Sequence, residues 1–220
     1  MTRLALIRHG ETIWNAENRY AGSTDIPLSP RGVEQAEQLA SWASSTNLAA
    51  IWVSPLLRAR QTAAPSERET GIVARVDSRL REIYFGKGEG LTNAELRQSF
   101  PEAFAAFQSD PVSHHLPGGE DPRNVALRAV DCFKEIETTY PRGRVLVVTH
   151  NTLIRVALCQ LLGVTLSKYR IAFPTIANGA LSEVCLQDGQ VSLLKFNFPS
   201  ESALAESAEA AEPDAPGSNE

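Results

Sequence analysis

Cysteine is sparse in this chain: the three present, Cys132, Cys159 and Cys185, are scattered and form no CxxC pair. That pattern argues against a disulfide framework and a thiolate metal site, and leaves each as a small buried apolar residue. Long apolar runs are missing too, and no stretch approaches the roughly 20 residues that a membrane span requires. At the N-terminus, Leu4-Ala5-Leu6-Ile7 stops at Arg8, too short for the apolar core of a secretion signal, so a cytoplasmic location is expected. A surplus of positive charge is also lacking. The formal net charge is −5, yet residues 200–220 hold six acids and no base, so the rest of the chain sets 21 bases against 20 acids. A near-neutral body gives no electrostatic ground for a nucleic-acid or membrane partner. Apart from Leu204, the segment 200–220 has no large apolar side chain. It cannot bury enough surface to offset its ordering entropy, and it reads as a disordered acidic tail after a single domain over residues 1–199.

Three short apolar runs read as buried strands: Leu4 to Ile7, Ile51 to Val53 and Val145 to Val148. None alternates with polar residues, as expected of strands covered on both faces. Helical patterns lie between them. Ser29-Pro30 is a helix start, with serine as N-cap and proline at the first helical position, followed by an apolar stripe of Val33, Ala36, Ala40 and Ala43. Asp121-Pro122 is a second start, ahead of Val125, Ala129, Phe133 and Ile136. A third helix is predicted from about Thr152 to Leu162, stopped by Gly163. Near the end, Leu181 to Leu186 and Val191 to Phe196 flank the Asp188-Gly189 turn, a hairpin signal. The alternation predicts an α/β fold, a three-layer α/β/α sandwich around a mostly parallel central sheet.

Each of the three buried runs leads into polar residues. They are Arg8-His9-Gly10-Glu11-Thr12, Ser54-Pro55-Leu56-Leu57-Arg58 and Thr149-His150-Asn151. In a parallel α/β sheet the carboxyl ends of the strands open on one crevice, where ligands bind. Two histidines and two arginines would meet there. Arg8 and Arg58 suit bidentate contact with phosphoryl oxygens. His9 suits nucleophilic attack if its second ring nitrogen is held by a hydrogen bond. His150, if protonated, would share the charge on the transferring group. Guanidiniums in this number leave little work for a metal, and no metal or other cofactor is expected.

These residues resemble the histidine phosphatase superfamily, the group that includes cofactor-dependent phosphoglycerate mutases. The motifs are LIRHGETIWN at 6–15, SPLLRARQTA at 54–63, LREIYFGKGEG at 80–90, LPGGE at 116–120 and VVTHNTLIR at 147–155. The resemblance covers residues 2–198. It implies that His9 is phosphorylated in an intermediate, that Arg8, Arg58 and His150 surround the phosphate, and that Asn15 hydrogen-bonds to it. It also implies that Glu82 protonates the leaving oxygen and then activates water. Arg19 and the segment from Ala21 to Asp25 are expected at the substrate-side rim, with Ala21 and Gly22 among the phosphate contacts. Asn151 stands where the family usually has glycine. Asparagine tolerates positive φ, so the turn is expected to survive while the side chain narrows the pocket or contacts substrate.

Other candidates have plainer readings. His114-His115 has no spaced third ligand and reads as a polar loop. Gly86-Lys87-Gly88-Glu89-Gly90 lacks P-loop and dinucleotide spacing and reads as a flexible turn. Trp14, Trp42 and Trp52 read as packing. The favoured function is a metal-independent phosphatase of a small phosphorylated metabolite, working as a monomer or homodimer. A phosphoglycerate mutase is the alternative. Ser23 stands where mutases usually have tryptophan, and the interval from Glu82 to His150 is short and lacks their adjacent arginine pair. A catalytically inactive phospho-ligand sensor is the third reading.

Overall fold

A computed structural model describes residues 1–187 and 189–199. The acidic segment 200–220, and Asp188 at the hairpin tip, lie outside the described residues. Six strands form one sheet: β1 (Thr2–Arg8), β2 (Ala50–Val53), β3 (Arg75–Val76), β4 (Arg144–Thr149), β5 (Leu181–Gln187) and β6 (Gln190–Phe198). Their order is β3-β2-β4-β1-β5-β6. The first four of that order run parallel; β5 is antiparallel to β1, and β6 to β5. The helices are α1 (Ile13–Ala16), α2 (Pro30–Ser44), α3 (Leu57–Thr70), α4 (Asn93–Ser99), α5 (Pro101–Ser109), α6 (Pro122–Thr139), α7 (Asn151–Leu162) and α8 (Tyr169–Ala172).

Strand side chains alternate between faces, and here both faces are dry. Leu4, Leu6, Val145 and Val147 pack against Val125, Ala129 and Phe133 of α6 and Leu153 and Ala157 of α7. Ala5, Ile7, Leu146 and Val148 face the other way, onto Leu39, Trp42 and Ala43 of α2 and Ala59 and Ala63 of α3. This two-sided burial explains the unbroken apolar runs and gives the expected three layers. A side chain such as Phe133, fully buried, contributes about 1.5–3 kcal/mol through removal from water.

The helix signals work as read. The Ser29 hydroxyl accepts from the Gly32 amide and Pro30 opens α2; Asp121 caps α6 in the same way through the Arg123 amide. α7 ends on Gly163 at φ 69°, the left-handed cap that glycine adopts without strain. The stripe of α2 needs a correction: Val33 is 50% exposed, and the buried positions are Ala36, Leu39, Ala40, Trp42 and Ala43. The first turn of α2 lies backbone to backbone on the loop after β1, because a Cβ on Gly32 would fall 2.1 Å from the Glu11 carbonyl oxygen. With Gly32 turned inward there, Val33 faces out.

A third apolar cluster, Leu96, Phe104, Phe107 and Leu116, sits in the excursion between β3 and β4 with Tyr20 and Phe85 packed against it. It builds a wall above the carboxyl ends of the central strands.

Candidate active site

The order β2-β4-β1 makes the three motif-bearing strands neighbours, so their polar exits converge. The His9 amide donates to the Thr149 carbonyl at 2.9 Å and the Ser54 amide to that of Val148 at 3.0 Å. His9 is buried, with its ring centroid 5.1 Å from that of His150. Nδ1–H of His9 donates to the Gly10 carbonyl at 2.7 Å. This leaves the lone pair on Nε2, which accepts from Nε of Arg58 at 3.1 Å. Burial, then the charges of Arg58 and Arg8, hold the His9 pKa well below the ordinary histidine range.

Arg58 is fully buried. Its remaining nitrogens donate to the carbonyls of Thr24 (3.0 Å), Ala21 (3.2 Å) and Gly22 (2.7 Å). The rim segment therefore aims the guanidinium at His9. Of its two predicted phosphate contacts, Ala21 lines the cavity, but Gly22 does not; both present their carbonyls to Arg58. The rim is itself held by Glu89, whose carboxylate accepts from the amides of Ser23 (2.6 Å) and Thr24 (3.0 Å) and from the Thr24 hydroxyl. Asp25 accepts from the Leu57 amide at the start of α3. Arg8 donates to the Ile176 carbonyl, and its Nε is buried without a partner among the described residues. Burial draws its pKa down to about 10, against the opposing pull of Glu82.

His150 is fully buried. Its Nε2 lies 2.6 Å from the Ser54 hydroxyl, and its Nδ1 has no partner among the described residues. Burial first, then the charges of Arg58 and other neighbours, push its pKa well below the ordinary value. In the protein alone the condition for a charged His150 is therefore disfavoured, because removal from water among guanidiniums opposes a further cation.

Glu82, 5% exposed, reaches the site from the loop after β3. It accepts from the amides of Ile83 (2.9 Å), Thr152 (3.0 Å) and Leu153 (3.1 Å), the last two being free donors of the first turn of α7. Arg128 of α6 steadies the approach. It donates to the carbonyls of Arg79, Arg81 and Glu82 and pairs with Glu120 of the LPGGE motif. Asn15 closes a capping box with Thr12, and its Oδ1 also accepts from Asn178 Nδ2 at 3.1 Å. Asn151 is the first residue of α7 and does not use positive φ; among the described residues only Asn18 and Asn197 do so without being glycine. The expected turn is replaced by a helix start with His150 as N-cap.

A cavity of about 610 Å³ opens beside these groups; Arg58 and His150, fully buried, are not among its lining residues. Arg8, His9, Asn15, Glu82 and Asn151 line its floor; Tyr20, Arg155, Tyr169 and Arg170 stand on its walls. Arg19 lines it as expected, paired with Glu17 and Glu95. Exposed His114 and His115 do not line it, and Trp42 and Trp52 are core residues. The Gly86–Gly88 turn is pinned by Lys87 N–H donating to the Pro117 carbonyl. Sequence reading missed Asn178, Arg155, Arg170, Glu89 and Arg128. Of these, Arg155 and Glu89 stood inside quoted motifs, the signal that would have found them. Among the described residues, no three His, Cys, Asp or Glu side chains gather in a way that would hold a metal ion, and no helix is long and apolar enough to cross a membrane.

Comparison with known proteins gives the family and the fold. The sequence profile of the histidine phosphatase superfamily (branch 1) matches residues 4–199. Phosphoserine phosphatase 1 of Hydrogenobacter thermophilus is 34% identical over 198 residues, 90% of this chain and 93% of that protein. A 2,3-bisphosphoglycerate-dependent phosphoglycerate mutase of Gloeobacter violaceus is 32% identical over 73% of this chain and 76% of its own. Among solved structures, Bacillus stearothermophilus YhfR superposes with a TM-score of 0.84 at 31% identity, covering 90% of this chain and 98% of that one.

Proposed function

The chain belongs to the histidine phosphatase superfamily, branch 1, and from that premise we propose that it is a phosphoric monoester hydrolase of a small phosphorylated metabolite, working through a phosphohistidine on His9 without a metal. The observation that carries the reading is the state of His9. Its Nδ1 proton is committed to Gly10, its Nε2 lone pair faces the Arg58 guanidinium, and Arg8 lines the same cavity floor.

In the resting site that lone pair accepts from Arg58. An arriving phosphoryl dianion draws both guanidiniums to its oxygens, which frees Nε2 for in-line attack and neutralises the charge of the loose transition state. The P–O ester bond breaks as the P–N bond forms, and the leaving oxygen takes a proton from the Glu82 carboxyl. Glu82, now a carboxylate, takes a proton from water, whose oxygen attacks phosphorus and returns His9 with its lone pair. His150 contributes as a neutral donor. If the Ser54 hydroxyl donates to Nε2, the proton sits on the unpartnered Nδ1, ready for a phosphoryl oxygen. Asn15 adds a contact beside it, and Asn151, with a buried unpartnered Oδ1, accepts from a substrate hydroxyl. A cytoplasmic setting and a monomer or homodimer complete the proposal.

The test is rapid-quench labelling with a phosphorylated metabolite in the presence of EDTA. Wild type should release phosphate and trap an acid-labile, alkali-stable phosphoenzyme, and His9→Ala should do neither. A label that survives in His9→Ala means another nucleophile. Faster formation of 2-phosphoglycerate than of phosphate from 3-phosphoglycerate and a bisphosphate primer would instead establish a mutase.

A further inference from the structure

One wall of the cavity carries cations that the chemistry at His9 leaves unused. Arg155 comes from α7 and Arg170 from α8, and both line the space that His9 opens on. Arg155 is 8% exposed; its Nε and Nη2 donate to the carbonyls of Phe173 (2.6 Å) and Pro174 (3.1 Å). Arg170 donates from Nε to the Tyr169 hydroxyl and from Nη1 to the Phe107 carbonyl, each at 3.1 Å. The two guanidiniums lie 4.9 and 5.6 Å from the centroid of the same Tyr169 ring. Among the described residues neither forms an ion pair, whereas nine other arginines do. Burial first, and the charge of Arg170 to a lesser degree, pull the Arg155 pKa down, against the opposing pull of Tyr169 and Glu82. Two like charges around one ring, in a partly dry pocket and with no described carboxylate within ion-pair distance, favour the arrival of an anion.

We propose that Arg155 and Arg170 form a carboxylate subsite, so that the substrate is the phosphomonoester of a small hydroxy or amino acid, with its phosphoryl group at His9 and its carboxylate at these two guanidiniums. The proposal rests on the phosphatase reading above. Nη1 of Arg155 and Nη2 of Arg170 are not spent on the bonds just described, and two donors match the two oxygens of a carboxylate. Both side chains are already held by backbone carbonyls and by Tyr169, so little freedom is lost when the anion binds. Tyr20, Asn93 and Gln108 on the same wall offer neutral polar groups to the hydroxyl or amino substituent between the two anions.

The experiment compares two pairs of compounds that differ by the carboxylate alone: 3-phosphoglycerate with 2-hydroxyethyl phosphate, and O-phosphoserine with O-phosphoethanolamine. In wild type, kcat/KM should favour the acid of at least one pair by about 10- to 100-fold, the value of one or two charge-assisted hydrogen bonds. In Arg170→Gln that ratio should collapse toward one, with Arg170→Lys between. The ratio is read on the same folded molecules, so partial loss of folding does not move it. A wild-type ratio near one for both pairs, or a ratio unchanged in Arg170→Gln, overturns the subsite. If no compound is hydrolysed, it is the phosphatase reading that fails. Calorimetric binding of the same pairs then judges the subsite by itself: tighter binding of the acids that Arg170→Gln abolishes supports it, and equal binding overturns it.

Discussion

At the scale of single residues, the site keeps two imidazoles uncharged among guanidiniums. Burial is the main cause for both His9 and His150, and the neighbouring charges add to it. A nucleophilic ring kept this way retains its lone pair in mildly acidic solution. The same fact makes stability depend on pH. In the unfolded chain both histidines titrate near the ordinary value of about 6.5. Below that pH the unfolded state takes up protons that the folded state refuses. The contribution of each ring is therefore complete above about pH 6.5 and is lost as the pH falls, by up to about 1.4 kcal/mol per pH unit. Melting temperatures measured from pH 7.5 down to 5.5 should fall, and the fall should be shallower in His9→Asn. A melting point that stays level across that window would mean that the rings are not held neutral.

At the scale of elements, the start of α7 is completed by another segment. Its N-cap, His150, makes no side-chain cap, and the amides of Thr152 and Leu153 depend on Glu82 instead. Glu82 therefore has a structural task beside its proposed chemical one, and substitutions should separate them. Glu82→Ala strands two buried amides at about 1–3 kcal/mol each. Since 1 kcal/mol shifts the melting point by about 2–4 °C in a protein of this size, a drop of several degrees is expected along with loss of turnover. Glu82→Gln keeps one acceptor oxygen and should lose turnover with a smaller drop. An alanine variant that melts like wild type would show that the bonds to α7 contribute nothing.

The elements also show what the sequence made legible. The dry strands, the Ser29 and Asp121 caps and the Gly163 stop are local signals, set by side-chain period and by the unpaired donors and acceptors of helix ends. They survive into the structure because nothing tertiary opposes them. The motif residues at the strand ends converge because neighbouring parallel strands must bring them together. Val33 and Asn151 were misread because each answers to a backbone contact that sequence does not display: Gly32 resting on Glu11, and α7 beginning one residue early. Arg128, Asn178 and Arg170 stayed hidden for a similar reason. Each serves the site or its cavity through partners from 46 to 169 residues away, and nothing in their immediate sequence announces those partners.

At the scale of the whole molecule, a nearly neutral body encloses a cavity rich in one sign of charge. Arg8, Arg19, Arg155 and Arg170 line it, against Glu82 as the one acid among the described lining residues. Such a cavity concentrates small anions and repels small cations, an effect that added salt weakens. No lysine lines it. The chain has four, Lys87, Lys134, Lys168 and Lys195, all outside the cavity wall.

That division has a practical side. Reagents that acylate amines should decorate this protein without entering its cavity, so it can be biotinylated or tethered to a resin through lysine and remain active. Vicinal dicarbonyls such as phenylglyoxal attack the neutral guanidine. Arg8, with its pKa drawn down to about 10, supplies that form more readily than an ordinary arginine. Inactivation by phenylglyoxal, slowed by inorganic phosphate and unaccompanied by any loss after lysine acylation, is the expected result. Equal damage from the two reagents would mean that an amine reaches the cavity after all.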